Sequence, residues 1–93
     1  MFQQFEAPPR AQSSTFCFSV HADNDVSVLP NVTAALAKRG LIPERMISTL
    51  FKHGQGELHV DFQIKGLDQA AADLLAKAMR RMVCARVVLM AEK

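Results

Sequence analysis

Hydrophobic and polar residues alternate along two segments of the chain, which is the pattern of a β-strand buried on one face only. In the first segment Phe16, Phe18 and Val20 are separated by polar or small residues. In the second, residues 57–65 alternate without exception between polar and apolar side chains. We therefore predict two half-buried strands and expect the second to be the most secure strand of the chain.

Apolar residues recur at helical spacing between Val28 and Leu36, so this segment is predicted to form an α-helix. Gly40 follows two basic residues and is expected to end the helix, because glycine readily takes the left-handed conformation of a helix C-terminus. Pro30 fits only in the first turn, where its missing N–H group has no intrahelical acceptor to lose. The helix should therefore begin near Ser27.

A second helix is expected after Asp68, whose short carboxylate side chain is a good N-cap. Its predicted apolar stripe comprises Ala71, Leu74, Leu75, Ala78, Met79 and Met82. Residues 86–90 are predicted to follow as a short strand, because they include β-branched side chains.

Residues 41–52 are predicted to be a less regular strand, and Gly54-Gln55-Gly56 joins them in a tight hairpin to residues 57–65. Pro43 cannot donate a ladder hydrogen bond, which predicts that this strand lies at a sheet edge. The element order is then βαββαβ, which with right-handed crossovers gives a ferredoxin-like α+β sandwich. We expect a four-stranded antiparallel sheet in the spatial order four, one, three, two, with two helices on one face.

The helices should cover the apolar face of this sheet and leave the other face open. The inward side chains are predicted to be Phe16, Phe18, Val20, Leu58, Val60, Phe62 and Ile64. The open face of the two central strands then carries Cys17, Ser19, His21, His59, Asp61 and Gln63. RNA-recognition domains of this fold stack bases on aromatic side chains from these strands. The lack of aromatic residues at these positions, together with the acidic Asp61, argues against RNA binding.

The chain has 93 residues, of which 49% are hydrophobic, and this fits one folded domain rather than a disordered chain. Residues 1–14 show no apolar period and are predicted to be a loosely ordered tail before a domain at 15–93. No apolar run is long enough to span a membrane, and the net charge of +2 is too small for an electrostatic nucleic-acid binder. The lack of a secretory signal and of a disulfide framework favours the cytoplasm.

Four residues on or near the open face carry reactive chemistry: Cys17, His21, His59 and Cys84. A small metal- or thiol-dependent protein built on them is the alternative function, and a Cys84–His21 pair would be its nucleophilic form. Zinc sites usually use locally spaced ligands, which these four lack, so we expect solvated or interface-facing side chains and an inert, buried Cys84. No catalytic constellation is visible in the sequence. We therefore expect a protein that is not an enzyme and that carries no metal or cofactor.

Two segments resemble the first loop and helix of the ACT domain family: residues 24–32 and residues 37–42. In that family a strand leads into an Asn or Asp, then Pro-Gly-Val-Leu, a helix and an Arg-Gly pair. The matching positions are Asn24, Val28, Leu29, Val32, Arg39 and Gly40. The likeness is nearest to the small regulatory subunits of acetohydroxyacid synthase, of the short single-domain type. The chain departs from the pattern in having Val26-Ser27 where the family usually has Pro-Gly.

The resemblance implies a non-catalytic regulatory module that senses an amino acid, in the setting of branched-chain amino-acid biosynthesis. It implies a homodimer whose further partners are a catalytic enzyme subunit and a small amino-acid effector. The implied effector site consists of Asn24, Ser27, Val28 and Leu29 at a subunit interface. The effector's carboxylate would lie at the helix N-terminus, where free N–H groups and the helix dipole attract anions. In the simpler interpretation Asn24 and Ser27 only cap the helix and tie the loop to the backbone.

Overall fold

A computed structural model describes residues 14–93 of the protein. The predicted tail therefore lies outside the described residues except for Ser14, which is the first residue of a strand. The elements in chain order are β1 (Ser14–Asp23), α1 (Val28–Lys38), β2 (Arg45–Phe51), β3 (Glu57–Leu67), α2 (Gln69–Arg80) and β4 (Ala85–Glu92). This order confirms the predicted βαββαβ sandwich.

The four strands form one antiparallel sheet in the order β2-β3-β1-β4, which is the predicted spatial order. The edge position of β2 is confirmed, but its predicted bounds were wrong. Pro43 lies in the connection before the strand, because β2 begins only at Arg45. The edge position therefore follows from the βαββαβ topology and not from the proline.

The core lies between the sheet and the two helices, and every predicted inward side chain is buried in it. The buried apolar residues are Phe16, Phe18, Val20, Ala22, Val28, Val32, Leu36, Leu58, Val60, Phe62, Ile64, Leu67, Ala72, Leu75, Ala76, Met79 and Val88. The rings of Phe18 and Phe62 stack with centroids 5.1 Å apart, which joins the two central strands. The face that the helices leave open carries the predicted polar set, all of it partly or fully exposed.

The first helix ends as its sequence predicts. Gly40 has a φ angle of 66°, in the left-handed region, and its N–H donates to the carbonyl of Ala37. The next N–H, from Leu41, donates back to the carbonyl of Leu36 at 3.0 Å. These two bonds form a Schellman motif, which satisfies carbonyl groups that the end of a helix otherwise leaves open.

The second helix confirms its predicted N-cap but corrects its predicted apolar stripe. An oxygen of the Asp68 carboxylate accepts a hydrogen bond from the backbone N–H of Ala71 at 2.7 Å. The buried residues of the helix are Ala72, Leu75, Ala76 and Met79. Leu74, which was placed in the stripe, is 61% exposed. Leu75 and Met79 of the predicted stripe are buried, and Ala72 and Ala76 contact the core in place of Leu74.

Three of the strands run beyond their predicted ends. Ala22 and Asp23, interpreted as part of a turn, belong to β1 because they pair with Leu58 and Glu57 of β3. Gly66 and Leu67, interpreted as a break, extend β3 past a register shift near Ser14. β4 likewise covers residues 85–92 rather than 86–90. In each case pairing with a neighbouring strand lengthens the strand beyond the end that its own sequence pattern indicates.

Candidate functional site

The loop between β1 and α1 is organised by Asp25. One oxygen of its carboxylate, Oδ1, accepts hydrogen bonds from both the backbone N–H of Ser27 at 2.8 Å and the Ser27 hydroxyl at 2.6 Å. The carbonyl of Asp25 accepts the N–H of Val28 at 3.2 Å. The two bonds from Ser27 to the carboxylate lower the pKa of the Asp25 carboxyl, and the hydroxyl contributes more than the N–H group. The loop therefore holds a carboxylate at neutral pH.

This arrangement decides which N–H groups of α1 are available to a ligand. The N–H groups of Ser27 and Val28 are taken by Asp25, and Pro30 has none. The Ser27 hydroxyl makes no hydrogen bond to the first turn, because it is held by Asp25 instead. Within residues 14–93, the N–H of Leu29 has no protein acceptor. It is therefore the free donor at this end of the helix.

Asn24 joins the loop to the turn between β2 and β3. A Cβ atom placed on Gly56 would lie 2.9 Å from the Asn24 Nδ2 atom, so the asparagine packs directly on the glycine backbone. Gly56 also has a φ angle of 93°, which side chains rarely adopt. The amide of Asn24 is exposed and makes no hydrogen bond within the described residues. It is oriented by packing while its polar atoms stay available.

The four predicted effector-site residues therefore lie together at one end of the sheet, but they differ in what they offer. Asn24 and Leu29 are exposed, and Ser27 is partly so. The side chain of Val28 is fully buried in the core, and its N–H already bonds to Asp25. Asp25 was not among the predicted residues, although its place two residues before a serine in a turn is the signal of an Asx turn.

On the open sheet face His21 lies opposite His59, as predicted. Their imidazole rings stack with centroids 3.8 Å apart and planes 3° from parallel. Glu57, two residues before His59 on the same face of β3, has a carboxylate oxygen 3.3 Å from His59 Nε2. Glu57 was not among the predicted residues of the open face, although the spacing Glu-x-His in an alternating strand places both side chains on one face.

The set of cysteines and histidines proposed as an alternative site is not assembled. Cys17 lies opposite Gln63, and its sulfur is 3.8 Å from the amide oxygen of that residue. The sulfur of Cys84 lies 3.9 Å from the Ser27 hydroxyl, not beside His21. Both cysteines are free thiols, and Cys84 is partly exposed rather than buried as expected. No hydrogen bond joins Cys84 to His21 within the described residues, and a thiol site of these four residues is not favoured.

A shallow concavity of about 350 Å³ lies further along the open face. Its polar floor comes from Cys17, Ser19, Asp61 and Gln63 of the central strands, and its apolar sides come from Ile47 and Leu89 of the edge strands. Arg45 lines it at one end.

Within residues 14–93, no helix has the length and apolar character needed to cross a bilayer.

The fold and the loop together define a small α+β domain in which the loop before the first helix carries an exposed asparagine. A family model described as an ACT-like domain matches residues 10–93. The chain therefore belongs to the ACT-like domain family, whose domains are typically regulatory, non-catalytic and amino-acid-sensing. None of the curated proteins matches the sequence.

Solved structures share this fold at low sequence identity. The ACT domain from GTP pyrophosphokinase of Chlorobium tepidum superposes with a TM-score of 0.71 at 9% identity, over 85% of this chain and 99% of that one. A homoserine dehydrogenase from Thiobacillus denitrificans gives a TM-score of 0.70 at 12% identity, over 89% of this chain but 18% of the dehydrogenase. The C-terminal domain of the MgtC protein from Mycobacterium tuberculosis gives 0.67 at 7% identity, over 88% and 89%. These similarities establish the fold alone.

Proposed function

We propose that this protein is a regulatory subunit that binds an amino acid at the β1–α1 loop and controls an amino-acid biosynthetic enzyme such as acetohydroxyacid synthase. The observation that carries the proposal is the free N–H of Leu29 at the start of α1, in a chain of the ACT-like family whose preceding loop carries the exposed Asn24. Together they offer one donor at a helix N-terminus and one side chain with both a donor and an acceptor.

The loop also offers a partner for the ammonium group of an amino acid. Oδ1 of Asp25 receives both hydrogen bonds from Ser27, and its second oxygen, Oδ2, has no partner within residues 14–93. An ionised carboxylate next to a helix N-terminus suits a zwitterion, which presents one charge of each sign. In this arrangement the effector's carboxylate meets Leu29, and its ammonium group meets Asp25.

Regulation requires that the effector bind two arrangements of the assembly with different affinities, because a ligand shifts an equilibrium only through that difference. We propose a homodimer in which the second subunit closes the loop site. The partner enzyme would be cytoplasmic, a compartment that suits the two free cysteines. Branched-chain amino acids are the first effectors to test, since residues 24–32 and 37–42 resemble the loop and helix of regulators of their synthesis.

A thermal-shift screen of the full chain against the twenty amino acids at millimolar concentration tests the sensing function. We expect one or a few to raise Tm, because a ligand that binds only the native state stabilises it by mass action. Asn24→Ala should abolish that rise. The matched control is Asn31→Ala, an exposed asparagine that lies on α1 and not in the loop, which should leave the rise in Tm unchanged.

Two results would overturn the proposal in different ways. A screen in which no amino acid raises Tm removes the sensing function. A rise in Tm that survives Asn24→Ala but is lost in Asp61→Asn would place the ligand in the concavity on the open face.

For the regulatory role, the purified chain is mixed with the catalytic subunit of acetohydroxyacid synthase from the same organism. We expect co-elution on size exclusion and an altered response of the activity to valine, and separate elution would exclude that partner.

A further inference from the structure

We propose that His21, Glu57 and His59 form a binding site for a divalent metal ion of the zinc type on the open face of the sheet. The ligand atoms of these three side chains, one from each, all lie within 4.8 Å of one another. The site shares no residue with the proposed amino-acid site, and its existence does not depend on amino-acid sensing.

The strand register brings the three side chains together. Glu57 and His59 are two residues apart on β3, so both point to the open face, and His21 of β1 is the direct cross-strand partner of His59. All three are therefore held by the two central, hydrogen-bonded strands, near the end where β3 begins, rather than by loops. Positions fixed in this way suit a metal site, which tolerates little variation in ligand distance.

The donor set is one that zinc uses in proteins. Two imidazole nitrogens and one carboxylate oxygen bind Zn²⁺ at about 2.0–2.2 Å and leave one tetrahedral position for water or an external ligand. The negative charge of Glu57 offsets part of the charge of the ion. Asp23 lies opposite Glu57, but its carboxylate is not free to bind the ion because it pairs with Arg86.

One polar atom at this position lacks a partner. His59 Nε2 is buried and makes no aligned hydrogen bond within the described residues, although the Glu57 carboxylate is 3.3 Å away. Buried polar atoms are normally paired, so an orphaned one needs an explanation such as a bound ion. The ring of Phe51 packs against His59 with centroids 4.6 Å apart and supplies an apolar wall to the site. Such a wall excludes water and strengthens binding of the ion.

Binding requires one local rearrangement. A metal ion lies in the plane of each imidazole that binds it, whereas the two rings are now parallel and stacked. Rotation of one ring about its terminal side-chain torsion removes the conflict, and this torsion has a broad energy profile in histidine. The Ser19 hydroxyl, 3.0 Å from His21 Nε2, can stay on one ring nitrogen while the other binds the ion.

The test uses the full chain, stripped with a chelator and titrated with zinc chloride by isothermal titration calorimetry. We expect saturation at an equimolar amount of zinc, together with a rise in Tm. His21→Gln, His59→Gln and Glu57→Gln should each weaken zinc binding by at least about tenfold. The matched control is His53→Gln, in the exposed turn after β2, which should bind zinc like the wild type. Circular dichroism of each zinc-free variant checks that it is folded.

Cobalt(II) in place of zinc separates this site from a thiol site. We expect the visible absorption of a tetrahedral cobalt ion without the near-ultraviolet band of a thiolate ligand. A thiolate band would assign the ion to Cys17 or Cys84 and overturn the proposal. So would the absence of zinc binding at millimolar zinc, or an equal loss of affinity in His53→Gln. None of these readouts depends on amino-acid binding, so the two proposals fail separately.

Discussion

Phe62 and Asp61 are neighbours on β3, yet Phe62 is 3% exposed and stacked on Phe18 while Asp61 faces the open side of the sheet. Alternation of this kind fixes which side chains form the core and which are free for chemistry. It places His21 and His59 together on one face without help from either helix. At the scale of single residues, strand register decides which side chains are buried and which are exposed.

We therefore expect Phe62→Ala to lower the free energy of unfolding by about 3–5 kcal/mol, because it leaves a cavity between sheet and helices. Asp61→Ala should change it by about 0.5 kcal/mol or less, because the side chain is exposed. Urea unfolding followed by circular dichroism measures both. Equal losses would mean that the register of β3 is shifted by one residue, which reverses every face.

Asp25 gives the loop a pH dependence. Its pKa is below the ordinary value of 3.8, chiefly through the Ser27 hydroxyl, so its stabilisation is fully present above pH 3.8 and is lost as the pH falls through the lowered pKa. Asp25→Asn should therefore be less stable than the wild type at neutral pH, with the difference shrinking in acid. Unfolding measured across this range tests the expectation.

Ser27→Ala provides the matched measurement. It removes the larger cause of the shift, so the pKa of Asp25, followed by NMR titration of its carboxyl carbon, should move upward toward 3.8. A titration curve unchanged in Ser27→Ala would show that the hydroxyl does not hold the carboxylate.

At the scale of elements, the ends of the two helices are encoded locally and their buried faces are not. Gly40 and Asp68 act where the sequence places them, because a left-handed C-terminus and an N-cap depend only on neighbouring residues. The face of α2 is set by contact with β4 and the rest of the core, which leaves Leu74 exposed. Helix ends are thus the better targets for predictable changes in stability.

Gly40→Ala should lower the free energy of unfolding by about 1–2 kcal/mol, the cost of a left-handed conformation for a residue with a Cβ atom. No atom lies within 4 Å of that added carbon, so the loss would come from the backbone conformation alone. Gly40→Asn should cost less, because asparagine tolerates this region better. If both variants lose the same amount in thermal unfolding, the conformational explanation fails.

At the scale of the whole molecule, the sheet ends in two strands, β2 and β4, whose outer edges pair with no other strand within residues 14–93. On β4 the carbonyl of Val88 accepts a hydrogen bond from the side chain of Arg80 at 3.1 Å. β4 carries no charged residue from Val87 to Ala91, although charges are a common protection of sheet edges. Val87 and Leu89 are about half exposed on it. This edge is the surface on which we expect a second copy of the chain to pair.

The expected homodimer is tested by sedimentation equilibrium at micromolar to millimolar concentration. Leu89→Lys on β4 should shift the protein toward monomer, because it places charge on the pairing edge of both copies. Leu74→Lys on α2 changes a similarly exposed leucine and should leave the dimer intact. Dissociation by Leu74→Lys alone would place the interface on the helices, and a wild-type monomer would exclude the dimer.

The element order, the inward and open faces of the central strands, and the caps at Gly40 and Asp68 could all be predicted from the amino-acid sequence. Each of these depends on a local property: periodicity, backbone freedom or a short polar side chain. The periodicity was sufficient to predict the faces of the central strands, because these strands are buried on one side only. Their apolar residues therefore alternate with polar ones in step with burial.

The lengths of the strands, the buried face of α2 and the set of residues that form each proposed site depend on tertiary contacts. Ala22 belongs to β1 because Leu58 pairs with it. Glu57 joins the two histidines because antiparallel register brings β1 and β3 side by side, and Asp25 takes the N–H groups expected to bind an effector because the loop folds back on Ser27. Contacts between residues distant in the chain carry no local signature, and for this reason one sequence could not reveal them.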